Sequence, residues 1–152
     1  MNLFDQISED IKTAMLAKDK VRLAALRNVK KLFIEAKTAP GANDTLTDDA
    51  ALKIIQKLIK QGKDSAQIYT EQNRQDLADE VLGQVKAIEA YLPKQLTADE
   101  LEYELKQIIV RIGAVGPKDM GKVMGVASKV LAGKTEGRAI SETVKRLLGD
   151  DR

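Results

Sequence analysis

Between Lys118 and Leu148 the chain reads KDMGKVMGVASKVLAGKTEGRAISETVKRLL, and here the residues able to do chemistry are ordered most tightly. Seven Lys/Arg face three acids in this stretch, a net of +4, whereas the whole chain carries only +2. Lys118, Lys122, Gly125 and Lys129 are spaced +4, +3 and +4, which on a helix puts three cations and a glycine on one face, with Gly121 beside them. Met120, Met124, Ala127 and Leu131 fall opposite. A glycine inside a helix costs about 1 kcal/mol relative to Ala, so two of them imply a gain, and the obvious one is close approach of another backbone. That backbone is either a neighbouring helix or a sugar-phosphate chain. Farther on, Gly133 and Gly137 bracket a tight turn that presents Lys134 and Arg138, and Lys145 follows on the last helix. Lysines in such a row bind phosphate by charge and carry little base information.

Other chemistries are excluded or weakened by composition. The 152 residues contain no Cys and no His, which removes thiolate nucleophiles, disulfides and the commonest metal ligand and general base. Gly133-Lys134-Thr135 looks like the end of a phosphate loop, but that pattern wants glycine where Ser128 stands, and no strand precedes it. Asp76/Asp79/Glu80 and Asp99/Glu100/Glu102/Glu104 sit in early helical turns, where acids are favoured without any catalytic role. Ser8, Ser65, Ser128 and Ser141 have no histidine to activate them. Further basic rows, Lys20/Arg27/Lys31 with Arg22 and Lys30 nearby, and Lys53/Lys57/Lys60, read as solvated surface. No cofactor and no metal site is expected.

The elements that must carry these residues are helices. Only 3% of residues are aromatic, with no Trp, so any core is built from Leu, Ile, Val, Ala and Met. Apolar three- and four-residue spacing predicts helices over about 2–17, 20–38, 74–91, 98–112, 118–131 and 137–148, and a further one capped by Thr47 whose buried stripe is marked by Leu52, Ile55, Ile59, Ala66 and Tyr69. Asp19 and Thr47 are N-cap residues, and Thr97 with Glu100 forms a capping box. Gly62 weakens the middle of the third helix; Thr38–Thr47 is a loop, Gly133 closes the sixth helix, and Pro93 stops the fourth. The expected fold is all-α, in two helical domains: a four-helix part over 1–92 and a three-helix bundle over 97–148, with 93–96 as linker. The N-terminus lacks the basic and apolar regions of a secretory signal, and no stretch reaches the ~18 apolar residues of a membrane span. These absences lead to the expectation of a soluble cytoplasmic protein without a membrane partner.

Three blocks bring a family into view: Arg74-Gln75-Asp76-Leu77, Tyr91-Leu92-Pro93-Lys94-Gln95-Leu96, and Asp119-Met120-Gly121-Lys122-Val123-Met124-Gly125 leading to Gly133-Lys134. Together they resemble the YqeY family, small stand-alone proteins similar to the C-terminal tail of GatB, a subunit of the glutamine-dependent aminoacyl-tRNA amidotransferase. The resemblance covers essentially the whole chain. It implies an all-helical protein in two parts whose smaller part leans on the body of a tRNA, with Lys122, Lys134 and Lys145 as contacts and Gly121, Gly125, Gly133 and Gly137 as shape residues. It also implies amidotransferase or tRNA-charging proteins as further partners. The amidotransferase's catalytic parts have no counterpart here, so the chain on its own is not expected to be an enzyme. Carbon–nitrogen ligase activity with glutamine as amide donor would require other subunits, and a helical protein–protein adaptor is the competing reading. Two departures from the family pattern stand out: Thr135-Glu136 where Ala-Asp is more usual, and Gly62 where an Arg is common. The second removes a cation from the N-terminal part.

Overall fold

A computed structural model describes residues 2–149 and is all-α: among these residues there are seven α-helices, one short 3-10 segment and no strand. The helices are α1 (Leu3–Leu16), α2 (Lys20–Lys37), α3 (Asp48–Glu71), α4 (Gln75–Glu89), α5 (Ala98–Ile112), α6 (Met120–Val130) and α7 (Gly137–Leu147), with the 3-10 turn Pro117–Asp119 just before α6. Met1, where the first expected domain begins, lies outside the described residues. The chain falls into two compact units, Met1–Leu92 and Pro93–Arg152.

In the first unit α1 to α4 close over Ile7, Leu26, Val29, Phe33 and Ile55, each fully buried. Burying each such side chain contributes about 1.5–3 kcal/mol. Local chemistry sets the helix starts. The side chains of Asn2, Asp19 and Thr47 accept from the backbone N–H groups of Asp5, Arg22 and Ala50, giving those otherwise orphaned donors a partner. Long-range polar contacts then tie the ends together: the Leu3 N–H donates to Asp48 Oδ1 at 3.0 Å, and the Tyr91 hydroxyl donates to Asp10, which Arg22 approaches at 3.8 Å.

Gly62 does not interrupt α3, which runs unbroken for 24 residues. A Cβ built at Gly62 would lie 2.4 Å from Val85 Cγ2 and 3.6 Å from Val81 Cγ1 on α4. The glycine is therefore the contact point that lets α3 and α4 approach closely. The helix-propensity cost expected from sequence is offset by a packing constraint that sequence does not display.

The second unit packs α5, α6 and α7 around Leu105, Ile108, Val123, Ala127, Leu131 and Val144, with Leu101, Ile140 and Leu148 closing its edges. The Thr97/Glu100 capping box is formed in both directions: Glu100 N–H donates to Thr97 Oγ1 at 3.1 Å, and Thr97 N–H to Glu100 Oε1 at 2.9 Å. Gly113, at φ 81°, ends α5 in the left-handed conformation that glycine adopts without strain.

Candidate nucleic-acid interface

The basic stretch is assembled from three pieces of the second unit, and each is fixed by a different contact. Its first piece is the 3-10 turn. The helix expected from 118 starts instead at Met120, because Pro117 and the Asp119 side chain hold the preceding turn tighter. Asp119 Oδ2 accepts from the Val115 N–H at 2.9 Å, behind the helix rather than ahead of it. That hydrogen bond, assisted by the charges of Lys122 and Lys118, holds the Asp119 carboxyl below its ordinary range. Lys118 consequently sits on the 3-10 turn and Lys122 in the first turn of α6, one to either side of an anchored acid.

The second piece is α6 itself. Val123 and Ala127 are buried and Met120 and Met124 half-buried, while Lys122, Gly121, Gly125 and Lys129 are exposed on the opposite side. The expected two-sided helix is present. The competing idea, that the glycines admit a neighbouring helix of the same unit, fails: among the unit's described residues a Cβ at Gly121 or Gly125 would meet nothing within 4 Å. What their absent side chains provide is a low, open surface beside a row of lysines.

The third piece is the turn from α6 to α7. Gly133 is buried and adopts φ 78°, so only glycine fits there without strain. The turn is braced by a segment that sequence assigns to a linker: Gln95 Nε2 donates to the Gly133 carbonyl at 2.7 Å and to Pro93 O at 2.9 Å, and the Leu96 N–H donates to Lys134 O at 2.9 Å. Lys134, exposed, is thus held by its backbone while its ammonium remains in solvent. Gln95 and Leu96 are the positioning residues that periodicity misses. Their signal was the Leu-Pro-Lys-Gln-Leu block itself, where a glutamine sits between apolar residues in a supposed linker.

Not all seven cations remain equally available. Arg138 pairs with Glu142 one turn along α7, Nε to Oε1 at 2.8 Å. Arg146 reaches Glu102 on α5 at 2.6 Å, and Glu102 also takes Lys106 at 3.2 Å; these two partners hold the Glu102 carboxyl below its ordinary range. Gly137, at the start of α7, is exposed with open space around it, while Lys145, also exposed, has an interaction of its own. Lys118, Lys122, Lys129 and Lys134 form the part of the patch that makes no ion pair among the described residues, with the charges of Lys118 and Lys122 felt by Asp119 beside them.

The acidic groups expected to lack a chemical role remain separate. Among the described residues no three Asp or Glu side chains converge as a metal site, Asp76 is clasped by Arg74 at 3.0 Å, and Glu100 serves the capping box.

A family model described as Yqey-like protein matches residues 4–148. Curated relatives carry the name altered inheritance of mitochondria protein 41, mitochondrial. The one from Vanderwaltozyma polyspora is 37% identical over 105 residues, covering 66% of this chain and 54% of the relative. That from Pyrenophora tritici-repentis is 27% identical over 146 residues, covering 95% and 80%, and that from Lachancea thermotolerans 31% over 100 residues, covering 66% and 53%. The match spans about half the length of the first and third of these relatives. Their names overturn the cytoplasmic expectation. That expectation rested on finding no apolar segment, which bears only on routes that read such segments, and an aqueous organelle interior places the same demands on a folded helical protein as the cytoplasm does. Among the described residues no helix is long and apolar enough to cross a membrane.

Proposed function

Because the chain belongs to the YqeY-like family, we propose that it is a non-catalytic tRNA-binding accessory module, comparable to the tail of GatB, that holds the tRNA body on the α6 face. The observation that carries this reading is the open face itself. Lys118, Lys122 and Lys129 line it without an ion pair among the described residues, and at Gly121 and Gly125 no described residue of the second unit lies within 4 Å of an added Cβ. Lys134, braced by Gln95, extends the cationic surface past the end of α6; Arg138 and Lys145 stand at its margin. Phosphates satisfy such a surface: ammonium groups neutralise backbone charge and release counterions, and missing side chains allow the sugar-phosphate chain to come close. In this reading the four-helix and three-helix parts are separate domains joined at 93–96, and the protein works in the mitochondrial setting that its relatives' names indicate, alongside amidotransferase or tRNA-charging proteins.

The test is a salt titration of binding to unfractionated tRNA. Affinity should fall as salt rises, and Lys122→Ala combined with Lys134→Ala should lower the slope of log affinity against log salt by about 2, one unit per phosphate contact removed. Absence of binding at low salt would sink the reading and leave the α6 face to a protein partner.

A further inference from the structure

Two surfaces that the tRNA reading leaves unused are complementary to each other. In the first unit, the groove between α1 and α2, about 350 Å³, is lined by Ile11 and Ile34 and by Arg27, Lys30 and Lys31 against a single acid, Glu35. Ile34 is 43% exposed, a sizeable apolar side chain left uncovered in the last turn of α2. Lys30 leans over the Phe4 ring at 5.8 Å, but Arg27 and Lys31 are exposed and have no ion-pair partner among the described residues. In the second unit, a concavity of about 380 Å³ on α5 is lined by Leu96, Tyr103 and three acids, Asp99, Glu100 and Glu104, with no cation. Tyr103 is 62% exposed, and Val110, seven residues and two turns farther along the same face, is 79% exposed.

We propose that the chain self-associates by seating the Tyr103 face of α5 from one copy in the α1/α2 groove of a second copy. The occupant follows from chemistry on both sides. An apolar lining between two helices suits the apolar side of a third helix, and RNA phosphates would gain nothing from Ile11 and Ile34. The groove's unneutralised cations need acids, and α5 supplies Asp99 and Glu104 beside its uncovered apolar residues, Glu100 being held in the capping box. The tyrosine ring covers Ile34, a guanidinium such as that of Arg27 stacks over the ring face, and Asp99 and Glu104 meet Lys31 and Arg27. The residues involved are separate from Lys118, Lys122, Lys129 and Lys134, so the proposal does not rest on the tRNA reading.

Sedimentation equilibrium of the full chain, from micromolar to millimolar and at low and high salt, tests it. The weight-average mass should rise above the monomer's 16.7 kDa with concentration and fall back as salt is added. Arg27→Glu with Lys31→Glu, or Tyr103→Glu alone, should weaken association by about tenfold or more, as losing close charge pairs across an interface does. Mixing Arg27→Glu/Lys31→Glu with Asp99→Lys/Glu104→Lys should restore association that neither variant shows alone. Arg27, Lys31, Asp99 and Tyr103 are exposed and Glu104 half-buried, and circular dichroism of each variant verifies that the helices remain. A monomer at every concentration, or an oligomer insensitive to these changes, overturns the proposal; tRNA binding is expected to survive in either case.

Discussion

Replacing Gly121 and Gly125 with alanine separates folding from binding at the α6 face. Both glycines lie inside α6, exposed, with open space where a Cβ would go. A methyl there meets no steric cost among the unit's described residues, so Gly125→Ala, inside α6, should stabilise the second unit by the propensity difference, about 1 kcal/mol, and Gly121→Ala, at the second residue of the helix, by less. The pair should therefore gain about 1–2 kcal/mol. For a unit of this size, about 4–8 °C per kcal/mol is expected, so its thermal transition should rise by about 4–16 °C. Calorimetry with hydrogen exchange of α6 amides reads that change. Affinity for tRNA should move the other way, by about tenfold, equivalent to about 1.4 kcal/mol, because the two methyls hold a sugar-phosphate chain off the helix. A destabilised double variant would show that the intact protein packs something against this face. Stabilisation with unchanged tRNA affinity would refute close approach as the reason for the glycines.

The same substitution at Gly62 should behave oppositely. Its Cβ would press on Val85, a buried β-branched side chain with little rotamer freedom, and overpacking of about 1–3 kcal/mol outweighs the propensity gain. Urea denaturation should show Gly62→Ala destabilised and Val85→Ala less harmful in that background than in the native one; additive effects would contradict the close contact. Tyr91→Phe should cost about 1 kcal/mol through the lost hydrogen bond to Asp10. Burial, with help from Asp10, pushes the Tyr91 hydroxyl up from 10.0 to about 12. Because the folded value is raised, its contribution is full below pH 10 and lost as pH rises through about 12. Denaturant midpoints across that window should fall more steeply in the native protein than in Tyr91→Phe, and parallel profiles would rule the linkage out.

Much of the helix pattern was legible because its causes are local. Asp19, Thr47 and Thr97 cap helices through amides three residues away, and that relation is visible in any sequence window. The 3-10 turn before α6 escaped because it depends on Asp119 turning back to Val115 instead of capping forward. Gly62 was misjudged because its partner, Val85, lies 23 positions away. That Glu102, a residue of α5, takes Arg146 from α7 was not legible, because the two lie 44 positions apart.

The sequence by itself determined that this protein is helical, lacks the thiol and imidazole groups that most active sites use, and concentrates glycines and cations between Lys118 and Leu148. Composition, period and capping act over a few residues, and for such properties the sequence is the cause. Which glycine joins two helices and which faces solvent, which cations are neutralised, and how Gln95 braces the Gly133 turn were decided only by tertiary structure. Those outcomes depend on pairs of atoms from distant parts of the chain, brought within reach only once both cores have closed.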